Sequence, residues 1–267
     1  MSLRLTPNFR DALAGAERPL AGMWVCSGSP LVAEICAGAG LDWLLIDMEH
    51  SPNGLESALA QLQAVAAYPV TPVVRVPIGD VVTIKQVLDL GAQNLLVPMV
   101  SSRADAEAAV AAVRYPPRGT RGVGSALARS ARWNRVDGYL EHADDHVSLF
   151  VQIETAAGVE AAAEIAAVDG VDGVFVGPSD LAASMGLLGR QTHPDVVAAA
   201  VRTFDAVRAA GKPVGVNAFD PAAADAYLAA GASFVLVGAD VALLARGSEA
   251  LAARFVPAGT AGERSSY

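Results

Sequence analysis

The sequence contains few of the residues on which several common protein chemistries depend. Lysine occurs only at Lys85 and Lys212, and cysteine only at Cys26 and Cys36. The spacing of the two cysteines matches no zinc or redox motif, which predicts reduced, buried thiols. The formal net charge is −9, so the chain lacks the basic surface that nucleic acids and anionic membranes require. We therefore predict that neither is a partner.

Long hydrophobic segments are also missing. No uncharged apolar run reaches the roughly 18 residues that predict a transmembrane helix. The N-terminal residues 1–4 lack a signal-peptide core, which predicts a cytoplasmic protein. With 53% hydrophobic and 18% charged residues over 267 positions, the chain has enough apolar material for a large core.

The sequence does contain a repeated alternation of short apolar runs and longer alanine-rich segments. The runs are β-branched and bounded by Gly, Pro or acidic residues, as is typical of strands buried on both faces. Pro30 and Pro221 in first turns, and Asp80 and Asp220 as N-caps, indicate helix starts. The predicted strands cover residues 22–25, 43–46, 72–76, 94–98, 147–153, 173–176, 213–216 and 234–237. The predicted helices cover residues 30–39, 54–67, 80–90, 103–114, 156–167, 194–210, 220–230 and 240–254.

Eight strand–helix alternations predict a parallel (β/α)₈ barrel, the TIM-barrel fold, as one domain over residues 1–255. Residues 3–20 are expected to place a helix across the bottom of the barrel, and residues 256–267 to form a polar tail. The long connection 115–146 predicts a functional loop or extra helices. An open doubly wound sheet is the alternative, but no glycine-rich dinucleotide fingerprint follows the first strand.

Polar side chains follow the apolar residues of most predicted strands. Active sites of such barrels lie at the carboxyl ends of the strands, so these positions predict the site. They are Asp47, Glu49 and His50 after strand two, Arg75 on strand three, Gln152 and Glu154 on strand five, Ser179 and Asp180 after strand six, Asn217 after strand seven, and Asp240 after strand eight.

Two of these carboxylates suit a metal ion. Glu154 and Asp180 follow neighbouring strands, which lie ~4.8 Å apart in a sheet, so their side chains can converge. Oxygen ligands without cysteine or clustered histidine favour Mg²⁺ or Mn²⁺. A glycosidase acid–base pair is the alternative. The turn Gly177-Pro178-Ser179 fits a small anion better, because backbone N–H groups that lead into a helix form an anion-binding cradle.

Three further side chains are candidates for proton transfer and charge stabilisation. His50 is the candidate base, because histidine exchanges protons readily near neutral pH. Arg75 is suited to binding a carboxylate or an oxyanion. Asp89, near the end of the third predicted helix, is either the partner that holds a histidine tautomer or a solvated helix acid.

Seven segments, in order and at similar spacing, together resemble the HpcH/HpaI family of metal-dependent pyruvate aldolases over residues 20–255. The segment GVGSALARSARWNR resembles the branch that acts on 4-hydroxy-2-oxoheptanedioate. The segments are LDWLLIDMEHSPN, PVVRVP, IKQVLDLGAQNLLVPMV, RYPPRGTRGVGSALARSARWNR, VQIETAAGV, VDGVDGVFVGPSDLAASMG and FVLVGADVALLARGSEAL.

This resemblance implies a TIM barrel and a class II aldolase that uses Mg²⁺, Mn²⁺ or Co²⁺. The implied reaction is the retro-aldol cleavage of a 4-hydroxy-2-oxo acid, here 4-hydroxy-2-oxoheptanedioate, to pyruvate and succinate semialdehyde. The alternatives are a 2-keto-3-deoxy sugar acid or hydroxypyruvate-type donor, or an acyl-CoA- or phosphoenolpyruvate-directed lyase of the same fold. The resemblance also implies a homohexamer, a trimer of dimers, in which the last helix is exchanged between subunits.

The resemblance assigns a role to each candidate residue. Glu154 and Asp180 would be the metal ligands, and His50 the base, paired with Asp89. Arg75 would contact the C2 oxygen of the substrate, and Gln152 with the backbone of Ser179 and Asp180 would contact pyruvate. Trp24 and Phe175 would be pocket walls, and Asn217 would bear on which aldehyde is accepted.

The two lysines decide between aldolase classes. An aldolase that forms a Schiff base needs a lysine at the carboxyl end of the barrel. Lys212 precedes the seventh predicted strand and Lys85 lies inside a predicted helix, so neither is placed to form the imine. A catalytically idle barrel is disfavoured as well, because all five side chains that the resemblance assigns to catalysis are present.

Overall fold

The computed structural model describes residues 3–257, which form a closed barrel of eight parallel strands in sequential order. The predicted TIM barrel is therefore confirmed and the open sheet is wrong. The strands are β1 (Leu20–Val25), β2 (Trp43–Asp47), β3 (Thr71–Arg75), β4 (Asn94–Val97), β5 (Ser148–Ile153), β6 (Gly173–Val176), β7 (Val214–Asn217) and β8 (Phe234–Ala239).

Helices occupy all eight predicted positions. Asp80 and Asp220 cap their helices by accepting backbone N–H groups, as predicted. The predicted helix 156–167 is divided at Ala161, and a further short helix follows β6. The helices are α1 (Phe9–Ala14), α2 (Pro30–Ala37), α3 (Leu55–Ala64), α4 (Val81–Asp89), α5 (Arg103–Val113), α6 (Ala143–His146), α7 (Ala156–Glu160), α8 (Ala162–Ala166), α9 (Pro178–Ser184), α10 (Pro194–Ala209), α11 (Pro221–Ala229) and α12 (Asp240–Phe255).

The barrel interior is filled by large side chains from alternate strand positions. Phe234 packs against Phe150 and Phe175 at ring-centroid distances of 5.5 and 6.2 Å. This packing requires glycine beside the rings, because a Cβ at Gly215 would lie 2.2 Å from the ring of Phe234. The opposite strand faces are covered by the helices, where the aliphatic residues form the larger core.

Helix α1 closes the amino end of the barrel. Phe9 is buried, with its ring centroid 5.0 Å from that of Trp43 and 5.1 Å from that of Phe150. Its backbone N–H donates to the side chain of Asn94 at 2.6 Å. The predicted helix across the bottom is thus present, although it spans only six residues.

The connection 115–146 contains one 3₁₀ turn, Arg129–Ala131, and the four-residue helix α6. It has its own small apolar cluster around Tyr139 and Val136. Arg121 is fully buried here, with its guanidinium carbon 4.5 Å from the ring centroid of Tyr115. The segment therefore packs as an ordered cover on the barrel wall.

Helix α12 extends from β8 with most of its surface exposed. Asp240 is its one buried residue within the described chain. Large apolar side chains on it are exposed, among them Leu243, Leu244, Leu251 and Phe255. None of the helices within residues 3–257 has the length and hydropathy of a membrane span. The predicted tail lies outside the described residues from position 258 onward.

Candidate active site

The carboxyl end of the barrel is organised by an ion pair between Asp47 and Arg75, the last residues of β2 and β3. The two are direct neighbours in the register of these strands. The guanidinium donates from Nε to Oδ1 at 2.8 Å and from Nη2 to Oδ2 at 2.9 Å. Both side chains are buried. This bidentate geometry fixes the plane of the guanidinium at the rim.

A second carboxylate and an indole ring also hold Arg75. Its Nη1 lies 2.7 Å from Oε2 of Glu49, and its guanidinium carbon lies 4.3 Å from the centroid of the Trp24 ring. Nε1 of Trp24 donates to Oδ1 of Asn217 at 2.8 Å, and the Trp24 ring meets that of Phe175 edge-on at 6.3 Å. The structure thus brings these predicted site residues together, with Phe175 fully buried in the interior beneath them.

Glu154 follows β5 and is buried although it is ionisable. Its Oε1 accepts from the backbone N–H of Met99 at 2.7 Å, and its Oε2 accepts from the side-chain amide of Gln152. Burial raises the pKa of Glu154; the two hydrogen bonds oppose this shift, and the charges of Glu49 and Asp180 add to it. A nearby cation would relieve this unfavourable negative potential.

The turn after β6 requires glycine at position 177. A Cβ at Gly177 would lie 2.9 Å from Oε2 of Glu154, so the missing side chain lets the turn approach the carboxylate. Gly177 is the N-cap residue of α9, and Ser179 and Asp180 lie in the exposed first turn. The first N–H groups of a helix have no partner within it. The start of α9 at Gly177 thus lies against Glu154, and Asp180 is near enough for its charge to add to the raised pKa of that carboxyl.

The donor set fits a hard divalent cation. Burial raises the pKa of Glu49 too, and the charge of Asp180 contributes to that shift. Within residues 3–257, no three His, Cys, Asp or Glu side chains surround a common metal position. A cation held by Glu154 and Asp180 would take its remaining ligands from water and substrate, as Mg²⁺ commonly does. The residues present therefore suit such an ion.

His50 and Asp89, which were predicted to pair, are not brought together within the chain. The imidazole of His50 is 66% exposed, and its Nε2 lies 4.0 Å from Oε2 of Glu49. Asp89 ends α4, and its Oδ1 lies 3.7 Å from Nη2 of Arg121. Burial raises the pKa of Asp89, and the charge of Arg121 opposes this shift. The two side chains do not pair within one chain, because a helix that returns to the next strand ends at the amino end of the barrel, and the pairing itself stays a prediction.

Asp240 joins the ends of β8 and β1. Its carboxylate accepts from the backbone N–H groups of Cys26 at 2.8 Å and Ser27 at 3.0 Å. Burial raises the pKa of the Cys26 thiol to about 12, and the charges of Asp47 and Asp240 add to the shift. Both cysteines are free; Cys36 is buried as predicted, whereas Cys26 is only partly buried. The Cys26 thiol stays protonated at neutral pH and is not a nucleophile.

Both lysines lie away from the carboxyl end. Lys212 precedes β7, and its Nζ donates to the carbonyl of Val168 at 2.8 Å. Burial lowers the pKa of Lys212, and the charge of Asp172 opposes this shift. Lys85 lies in the middle of α4. The chain therefore has no lysine placed to form an imine with a substrate at the site.

Three residues whose roles were not predicted from the sequence organise this site. Asp47 and Glu49 hold Arg75, and the backbone N–H of Met99 holds Glu154. The sequence did indicate a role for Asp47, because an acid directly after a fully apolar strand is unusual. The sequence did not indicate the role of Met99, because a contact through a backbone N–H does not depend on residue type. The backbone of Met99 has a φ of 58°.

Comparison with known proteins identifies the family. The model of the HpcH/HpaI aldolase/citrate lyase family matches residues 20–247. The chain is 57% identical over 251 residues to hydroxypyruvate/pyruvate aldolase of Deinococcus radiodurans, covering 94% of this chain and 90% of that protein. It is 55% identical over 247 residues to 4-hydroxy-2-oxo-heptane-1,7-dioate aldolase of Salmonella dublin, covering 92% and 94%.

A solved structure gives the same result. The crystal structure of an HpcH/HpaI aldolase/citrate lyase family protein from Burkholderia cenocepacia J2315 matches with a TM-score of 0.89 and 42% identity. The match covers 93% of this chain and 99% of that chain. The resemblance noted in the sequence is thus confirmed, and the chain belongs to the HpcH/HpaI aldolase/citrate lyase family.

Proposed function

We propose that this enzyme is a divalent-metal-dependent aldolase that cleaves a 4-hydroxy-2-oxo acid reversibly into pyruvate and an aldehyde. Its likeness to a hydroxypyruvate/pyruvate aldolase and to a 4-hydroxy-2-oxo-heptane-1,7-dioate aldolase supports this reaction. The observation that carries the proposal is the carboxylate pair Glu154 and Asp180 at neighbouring strand ends, with Arg75 fixed at the same rim.

The reaction requires stabilisation of a pyruvate enolate and removal of the C4 hydroxyl proton. A divalent ion on Glu154 and Asp180 would supply a Lewis acid for the substrate carboxylate and C2 oxygen. Arg75 retains N–H groups beyond the three that its carboxylate partners occupy, and these would donate to the C2 oxygen. Gln152 and the N–H groups at the start of α9 would bind the pyruvate carboxylate.

The test is an aldol assay on chelator-treated protein. Pyruvate and a panel of aldehydes would be incubated with and without added Mg²⁺, Mn²⁺ or Co²⁺. We expect no turnover after full chelation and recovery with at least one ion. Turnover that survives chelation would contradict the metal assignment, and a lysine adduct after borohydride reduction with pyruvate would contradict the exclusion of an imine.

We expect His50→Ala to lower kcat by about 10²–10⁴-fold, the usual contribution of a general base. His50 is exposed at the rim and makes few contacts, so folding should be unaffected. Metal titration should give the wild-type affinity, because Glu154 and Asp180 are unchanged. His142→Ala, in the connection 115–146, is the matched control, because its side chain is 63% exposed. Near-wild-type turnover of His50→Ala would remove His50 from the mechanism.

We further propose that Asp89 acts on His50 of a neighbouring subunit in a homohexamer. Within one chain the side chains of His50 and Asp89 are not in contact. Oδ1 of Asp89 is buried and has no hydrogen bond, and Arg121 lies 3.7 Å from it. Helix α12 leaves its apolar side chains exposed, which supports subunit exchange of this helix. The assembly would cover these surfaces and bring the amino-end Asp89 to a partner's rim.

Hybrid oligomers test this arrangement. His50→Ala and Asp89→Asn chains are each expected to be nearly inactive. When they are mixed and reassembled, a site between subunits can receive His50 from one chain and Asp89 from the other. We expect partial recovery of activity on mixing. If the mixture is no more active than the average of its parents, the pair does not form between subunits.

A cavity of about 520 Å³ lies beside Ser179 and Asn217 and favours a different substrate from 4-hydroxy-2-oxoheptanedioate. It lies between α10 and α11, and Asp220 is its one charged lining residue within the described chain. A negative wall disfavours the carboxylate of succinate semialdehyde, which the heptanedioate assignment requires. An uncharged hydroxyaldehyde, released from a 2-keto-3-deoxy sugar acid, suits it better. The ratio of kcat/KM for the two aldehydes decides between them.

A further inference from the structure

A second large cavity lies at the amino end of the barrel, away from the strand ends that carry the proposed chemistry. Its volume is about 660 Å³. The walls are helix α1, the residues before β3 and β4, and the 3₁₀ turn Arg129–Ala131 with Arg132. Three arginines line it, Arg4, Arg129 and Arg132, whereas its one acid within the described chain is Asp11.

The guanidinium groups of Arg129 and Arg132 converge on one point. A Cβ built on Gly91 would lie 2.8 Å from Nη1 of each arginine, so the two nitrogens are close neighbours. Arg129 Nη1 donates to the carbonyl of Leu90 at 2.9 Å, and Arg132 Nη1 donates to the carbonyl of Arg129. Both contacts are to neutral oxygens.

The charge of this pair is not compensated within the described part of the chain. Neither guanidinium has a carboxylate within 4.0 Å there, and Asp11 lies 3.7 Å from Nε of Arg10. Burial lowers the pKa of both arginines, and their mutual repulsion adds to the shift for Arg129. Two partly buried like charges in a protein of net charge −9 call for an anion between or beside them.

The backbone that presents Arg132 is strained. Arg132, Trp133 and Asn134 have φ angles of 50°, 55° and 61°, so three consecutive non-glycine residues are left-handed. Such conformations are costly and are concentrated at sites that bind ligands. The strain thus holds the second guanidinium beside the first instead of letting it extend into solvent.

We propose that this amino-end cavity binds a small phosphate-type oxyanion between Arg129 and Arg132. Paired guanidinium groups match the tetrahedral oxygens of phosphate through charge-assisted hydrogen bonds. The remaining cavity volume leaves room for an organic substituent, so the ligand is inorganic phosphate or a small phosphomonoester. The site lies at the opposite end of the barrel from the strand ends that carry the proposed aldolase chemistry of the same chain.

Phosphate binding would be measured by calorimetry on Mg²⁺-loaded protein saturated with pyruvate, which occupies the carboxyl end. We expect one phosphate per chain. Arg132→Gln and Arg129→Gln should each weaken binding by at least about tenfold, the loss of a single charge-assisted contact. Glycerol phosphate, titrated in parallel, distinguishes the two ligand sources: tighter binding than phosphate assigns a phosphomonoester, and equal or weaker binding assigns inorganic phosphate.

The arginine variants could lose phosphate binding because they misfold, so a further variant is needed that keeps both arginines. Thr6→Glu adds a fixed carboxylate to the cavity wall and should abolish phosphate binding, whereas Thr6→Gln should not. Arg190→Gln, at an exposed loop, is the matched arginine control and should bind as wild type. The proposal is overturned if the wild type binds no phosphate under these conditions. It is also overturned if Thr6→Glu and the two arginine variants retain wild-type affinity.

Discussion

Replacement of Glu154 by glutamine is expected to lower kcat/KM by roughly 10²–10⁴-fold and to weaken metal binding. A Lewis-acid metal contributes several kcal/mol of transition-state stabilisation, and each 1.36 kcal/mol is a factor of about ten. Glutamine retains the size of the side chain but offers a neutral oxygen. The measurements are steady-state kinetics across a Mn²⁺ or Mg²⁺ titration and calorimetric metal affinity.

The fold should tolerate this change. Because burial raises the pKa of Glu154, the ionised form is disfavoured in the metal-free protein, and neutralisation does not cost stability. We expect the Tm of the metal-free variant to equal or exceed that of the wild type. Glu160→Gln, on the exposed end of α7, is the control and should leave both activity and affinity unchanged. Wild-type metal affinity in Glu154→Gln would show that the ion lies elsewhere.

Replacement of Arg75 by methionine is expected to lower the free energy of unfolding by about 3–5 kcal/mol, the cost of removing one partner of a buried ion pair. Asp47 and Glu49 would then face each other without their shared cation. Activity should fall as well, because no N–H donor would remain for the enolate oxygen. Urea unfolding at pH 7 measures the first effect, and kcat/KM the second.

Two comparisons separate stability from catalysis in this variant. Arg75→Met combined with Asp47→Asn should recover much of the lost stability, since the uncompensated charge is removed, but not the activity. The deficit of the single variant should shrink as the pH falls. Burial raises the pKa of Glu49 and the charge of Arg75 opposes this shift, so the opposition is lost in the variant. A group whose pKa is raised in the folded state favours that state when it is protonated. A stability loss that is independent of pH and persists in the double variant would contradict this account.

Most of the fold could be predicted from the sequence because the barrel strands are buried on both faces and therefore appear as uninterrupted β-branched runs. Helix α9 could not, since its seven residues are too few to show an apolar period. The position of Glu154 and Asp180 after two neighbouring strands could be predicted from the apolar runs alone, and their role as metal ligands stays a prediction. The clamp of Asp47 on Arg75 depends on the register between two strands, which a single sequence does not display.

The position of Asp89 shows a different limit. A helix that follows a strand returns to the opposite end of the barrel, so sequence proximity to the site does not imply spatial proximity. The contacts of Asp89 with Arg121 follow from the packing of a loop more than thirty positions later in the chain. The proximity of Arg129 and Arg132 could not be predicted from the sequence either. It depends on a left-handed backbone turn that the residue types in this segment do not indicate.

The aromatic plug formed by Phe9 at the amino end has a kinetic consequence. Because closely packed aromatic rings fill the bore, we expect pyruvate and the aldehyde to share the entrance at the rim. Among the residues proposed to hold pyruvate and the metal ion, Arg75, Gln152 and Glu154 are buried whereas His50 is exposed, so we expect the keto acid to enter before its co-substrate and to leave after it. In the synthetic direction we therefore expect a compulsory order, in which an aldehyde that arrives first blocks the passage and inhibits turnover at high concentration.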